Sequence, residues 1–113
     1  MKYYYNLYVS KTIGSKVTEV IAKLEKEEVQ LNKFLIVLAA NPTNHLEFFD
    51  SLLLQQKIFP KEEFFVVGIA EGYRDAIKLV KNIVDDIYKV TKDTNIRKYI
   101  VEKQKEFEVG ENN

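Results

Sequence analysis

Phe34-Leu35-Ile36-Val37-Leu38-Ala39-Ala40 is an unbroken apolar run, and what it becomes decides the fold. It is far shorter than the roughly 20 residues that span a bilayer. Its length and flanks predict a strand buried on both faces, the habit of parallel sheets covered by helices. The run stops at Asn41-Pro42-Thr43-Asn44. Pro42 has no amide hydrogen for a ladder and turns Asn41 away from helix, while Thr43 or Asn44 can cap the next segment.

Downstream, Leu46, Phe49 and Leu53 fall at helical spacing, broadened by Phe48, Leu52, Leu54 and Ile58. This predicts a helix over 46–58 whose apolar girth exceeds what one sheet face needs. Phe59-Pro60-Lys61 makes a turn. Phe64-Phe65-Val66-Val67-Gly68-Ile69-Ala70 reads as another doubly apolar strand, broken by Glu71-Gly72. Tyr73, Ala76, Ile77, Val80, Ile83, Val84 and Ile87 then form the clearest helical stripe, with Lys78, Lys81, Asp85 and Lys89 turned to water. A more polar last helix is carried by Ile96, Tyr99, Ile100 and Phe107.

Upstream, Tyr3-Tyr4-Tyr5-Asn6-Leu7-Tyr8-Val9 is rich in strand formers and has no helical period. A loop comes next, ending in a candidate cap, Ser15. Val17, Val20, Ile21 and Leu24 mark an amphipathic helix.

The order strand, helix, strand, helix, strand, helix, helix predicts an α/β fold. The expected form is a small three-layer sandwich with a mostly parallel three-stranded sheet (βαβαβα plus a C-terminal helix), a Rossmann-like or flavodoxin-like half. One domain covers 1–108, and 109–113 reads as a flexible tail. Two strand orders satisfy this pattern. The preferred one, 2-1-3, puts the first strand at the centre; the other puts it at an edge, which suits its tyrosine hydroxyls. An antiparallel first strand would make the fold α+β instead.

Composition narrows the function classes. The chain of 113 residues is 46% hydrophobic and 30% charged, enough for one core. It has no cysteine, which removes disulfides, thiolate zinc sites and cysteine nucleophiles. Seventeen basic and 17 acidic side chains cancel, so the footprint of a dedicated nucleic-acid binder is absent. No membrane span and no secretory leader is legible, and the expected compartment is cytoplasmic.

In a parallel sheet, segments 10–15, 40–44 and 70–73 all leave one rim, where ligands of open α/β sheets bind. The candidate ligand-binding residues there are Lys11, Ser15, Asn41, Thr43, His45, Gly72 and Arg74. Several of these also have a plainer account. Gly14-Ser15-Lys16 lacks the rest of the Walker pattern, and Gly68 with Gly72 lacks the three-glycine dinucleotide spacing. Arg74 can pair with Asp75 or Glu71. His45, the single histidine, cannot build a poly-His metal site and suits a surface or capping role. A relay of Ser10, His45 and Glu71 has no nucleophile elbow behind it. Asp85 and Asp86 diverge by about 100° on a helix and cannot pinch one metal. The four tyrosines at positions 3, 4, 5 and 8 are better as packing groups than as a base-stacking platform.

No catalytic residue, metal or cofactor is therefore assigned. The reading is a non-enzymatic, homo-oligomeric (homodimeric) protein acting through protein contacts or small-ligand sensing, because sheet edges and a wide apolar helix need cover. The alternative is an anion- or nucleotide-binding protein or small enzyme using the rim loops, with a small anionic ligand.

Overall fold

The computed structural model describes residues 1–39, 45–58 and 60–111. Four strands form one mixed sheet: β1 (Lys2–Val9), β2 (Lys33–Leu38), β3 (Leu46–Asp50) and β4 (Phe65–Glu71), in the order β1-β4-β2-β3. β1 and β4 are parallel, whereas β2 runs antiparallel to both β4 and β3. Helix α1 (Val17–Glu25) packs on one face through Val20 and Leu24. Helices α2 (Tyr73–Thr91) and α3 (Ile96–Glu111) cover the other.

The expectation of a mostly parallel three-stranded, Rossmann-like sheet is thus overturned. The run 34–40 does supply a strand whose Leu35, Ile36 and Val37 are fully buried, but burial on both faces carries no information about direction. The centre of a mixed sheet with helices on both sides has the same signature as a parallel strand. β1 also lies at the edge, not the centre.

The predicted helix over 46–58 is the second correction. Leu46 and Phe48 side with the α2 core and Phe49 with the α1 core, the alternation of a strand. β3 pairs with β2 in regular register, from Phe34 opposite Asp50 to Leu38 opposite Leu46. The Asp50 carboxylate then accepts from the Leu52 N–H (3.0 Å) and turns the chain into a short 3-10 helix, Ser51–Gln55. The link from β2 to β3 is too short for the crossover of a dozen or more residues that parallel neighbours need.

β4 is central and carries an irregularity that sets both cores. Ile36 of β2 faces Gly68, yet the next residue, Val37, faces Val66, so Val67 is an extra residue in the ladder. Resetting the alternation lets Val66 and Ile69, three apart, share the α1 face, while Val67 and Ala70 share the α2 face. Gly68 lies in the tightest spot. A Cβ there would come within 3.1 Å of Leu79 Cδ2, 3.2 Å of Ile36 Cδ1 and 3.3 Å of the Tyr8 carbonyl oxygen.

α2 meets the sheet through Ala76, Leu79, Ile83 and Ile87. Tyr73, Ile77 and Val84, expected in that stripe, remain exposed. α3 is capped by the Asn95 side chain, which accepts from the Lys98 N–H (3.1 Å). It continues through Val109 and Gly110 to Glu111. It covers the outer side of β1: the Tyr5 N–H donates to Gln104 Oε1 (2.8 Å), and the Tyr5 and Phe107 rings stack at 4.6 Å.

Candidate functional site

Because β2 is reversed, the three expected exits do not share a rim. β1 and β4 end together, and the chain enters β2 at that same rim, where Lys33 faces Glu71. The residues before β2 are therefore part of this rim. The exit of β2 lies at the far end, taking His45 with it. His45 precedes β3, not a helix, and its Nδ1 accepts a long bond from the Arg97 N–H (3.4 Å) at the start of α3. Arg97 Nη2 also donates to the Ala39 carbonyl. Asn41 and Thr43 lie outside the described residues. Ser10 and Glu71 are on one rim and His45 on the other, so these three assemble no relay.

The shared rim is organised by Ser10, which is buried. Its N–H donates to Ile69 O (3.0 Å), and its carbonyl accepts from the N–H groups of Ile13 (3.1 Å) and Gly14 (3.0 Å). Its hydroxyl oxygen accepts from the Glu71 N–H (3.1 Å) and lies 3.1 Å from Thr12 Oγ1. One side chain thereby ties the exit of β1 to the exit of β4. Gly72 completes the join. Its N–H donates to Asn32 O (2.9 Å), so this backbone donor is already used. Its φ of +89° is one that L side chains rarely adopt.

Ser15 sits in a 3-10 helix over Gly14–Lys16 and caps nothing; the residues preceding that helix and α1, Ile13 and Lys16, make no side-chain cap either. Arg74 is exposed on the first turn of α2. The two acids expected to pair with it are engaged elsewhere: Glu71 with Lys33 (2.8 Å) and Asp75 with the Thr12 hydroxyl (2.9 Å).

Two clefts flank Thr12. One, of about 470 Å³, lies over α1, with Lys16, Lys23, Lys33, Glu19 and Glu71 in its walls. Four of these charges are consumed in the pairs Lys23–Glu19 (3.2 Å) and Lys33–Glu71. The other, of about 580 Å³, runs between the end of β1 and one flank of α2. Two bonds pin its walls: Thr12 to Asp75 at one end, and the Tyr8 hydroxyl to Asp86 Oδ2 (3.1 Å) at the other. Burial, then the Asp86 charge and its hydrogen bond, push the Tyr8 phenol up to about 12, so it remains a donor.

Of the sequence candidates, the structure brings Lys11, Ser15, Gly72 and Arg74 to one rim, but only Lys11 lines the larger cleft. Asp75, Lys78, Asn82 and Asp86 line it from α2, and sequence reasoning misses them as binding residues. Their spacing of three, four and four marks one helix stripe, but a polar stripe is also what a solvated face looks like. Asp85 and Asp86 do diverge, one to Lys81 (2.9 Å) and one to Tyr8.

Among the described residues no group of three or more His, Cys, Asp or Glu side chains is placed to hold a metal ion, and no helix is long and apolar enough to cross a membrane. Comparisons with family models, with curated proteins and with solved structures find no match to this chain.

Proposed function

We propose that this protein acts through protein contacts, and first with a second copy of itself, across the outer edge of β3 and the adjoining flank of α2. The observation that supports this is a second apolar stripe on α2. Tyr73 (61% exposed), Ile77 (45%), Val84 (38%) and Tyr88 (49%) succeed one another at helical spacing. At about 100° per residue the stripe lies roughly a quarter-turn from the sheet-facing residues. A helix on a single sheet face needs one stripe, not two. The Tyr73 ring also contacts Phe48 of β3 (5.6 Å) and Phe34 of β2 (6.1 Å), so the apolar surface continues onto the sheet.

Among the described residues β3 pairs on one side only, while α3 covers the outer side of β1. A strand edge suits a twofold partner, because an antiparallel strand can pair with its own copy. Centred on Phe48, such pairing sets Leu46 against the partner's Asp50 and Glu47 against the partner's Phe49, so no like charges face each other. The formal net charge of zero leaves little long-range repulsion between copies.

Sedimentation velocity over a wide concentration range tests this. The expected result is a dimer that Tyr73→Lys with Val84→Lys converts to monomer, with far-UV circular dichroism unchanged because both positions are exposed. A concentration-independent monomer for the parent chain would refute the reading.

A further inference from the structure

The cleft between β1 and α2 lies on the other flank of α2 from the apolar stripe, and it holds polar groups that the fold does not use. Its two pins are separated by eleven residues of α2, a slot about 16 Å long at 1.5 Å per residue. A volume of about 580 Å³ falls in the range of small-molecule sites. Its floor is apolar: Leu79, only 6% exposed, with Val9 beside it.

The charges in its walls identify what would enter. Lys11 and Lys78 reach the slot from opposite walls, and neither has an acidic partner among the described residues, in contrast to Lys81, Lys33 and Lys23. The Asn82 carboxamide between the pins makes no hydrogen bond to a described residue. Asp75 and Asp86 retain acceptor capacity beyond the single hydroxyl each receives. Two cations and two carboxylates leave the slot with no net charge, which disfavours a polyanion such as a nucleic acid. They suit a molecule with one anionic end for the lysines and hydroxyl donors for the carboxylates, its carbon face resting on Leu79.

We propose that this slot binds a polyhydroxylated organic anion, a sugar phosphate or a sugar acid, held by Lys11, Lys78 and Asn82 and by hydroxyl donation to Asp75 and Asp86. Binding here is independent of self-association, because the two surfaces lie on opposite flanks of one helix.

Amide NMR titrations with ribose 5-phosphate and with gluconate separate the two sources of the anion; inorganic phosphate and ribose are the control probes. Shifts confined to residues 8–12 and 75–86 with either organic anion support the assignment. So does a loss of affinity of about tenfold or more in Lys78→Gln and in Lys11→Gln, the worth of one charge-assisted hydrogen bond. Lys81→Gln, whose partner Asp85 faces solvent, should bind as the parent does. The proposal is overturned if neither organic anion shifts these amides at millimolar concentration, or if the lysine variants bind unchanged. Equal shifts from inorganic phosphate would overturn the polyhydroxyl assignment.

Discussion

Replacing Gly68 by alanine is expected to destabilise the protein, although glycine to alanine in a strand ordinarily helps. By restricting the unfolded chain, the added methyl stabilises by about 0.4–1 kcal/mol where the native backbone accepts it. Against this stand three contacts of 3.1–3.3 Å around the new Cβ. Two are methyl ends, Leu79 Cδ2 and Ile36 Cδ1, which can rotate by a few tenths of an ångström. The third is the carbonyl oxygen of Tyr8, whose residue lies opposite Gly68 in the β1–β4 ladder and cannot withdraw without disturbing it. Overpacking of this kind costs about 1–3 kcal/mol. Taking the middle of both ranges, the net expectation is a loss of about 1.3 kcal/mol, or roughly 5 °C in Tm for a chain of this size. Gly110 in α3 supplies the opposite sign, because a Cβ there has nothing within 4 Å. Gly110→Ala should gain about 0.2–0.5 kcal/mol from helix propensity, less than in a helix interior because Gly110 lies in the last turn of α3. Urea denaturation with both slope and midpoint fitted measures the two variants side by side. A Gly68→Ala protein as stable as the parent would refute the packing argument at the extra residue of β4.

The rim and the tyrosines give further expected outcomes. Ser10→Ala removes the acceptor of the Glu71 N–H and should cost about 1–3 kcal/mol, read by urea denaturation, with faster amide exchange at Glu71. The Tyr8 phenol holds its proton to about 12 in the folded state but to about 10 when unfolded. The unfolded chain therefore loses that proton first, and stability falls as pH rises from about 10 to about 12. Tyr8→Phe should remove this part of the slope in denaturation series between those values. Tyr3 and Tyr4 are raised by burial first of all and contribute in the same direction.

The legible part of the fold came from local pattern. The run 64–70, the tyrosine-rich start and the helical period after Gly72 each became an element of the expected type. Direction was not legible, because Leu35, Ile36 and Val37 would look the same in either orientation. Segment 46–58 satisfied two periods at once. Leu46, Phe49 and Leu53 fit a helix, and the alternation at Leu46, Glu47 and Phe48 fits a strand. Pairing with β2 decided between them, and that is tertiary information. α2 carries two adjacent apolar arcs, and only the sheet shows that Leu79, not Tyr73 or Ile77, is the buried one. The rim was half legible for the same reason as the sheet: β1 and β4 do exit together, which puts Lys11 on the same rim as Gly72 and Arg74, whereas the reversal of β2 carried His45 away.

The strand order has a consequence for synthesis. β4 stands between β1 and β2 in space but comes after both in the chain. As the protein leaves the ribosome, β1 and β2 emerge without the neighbour that each requires. Only the β2–β3 ladder, closed over a short link, can zip early. A nascent chain that ends before Phe65 therefore presents bare edges to chaperones, and closure of the whole sheet is a single late event that waits for the last strand.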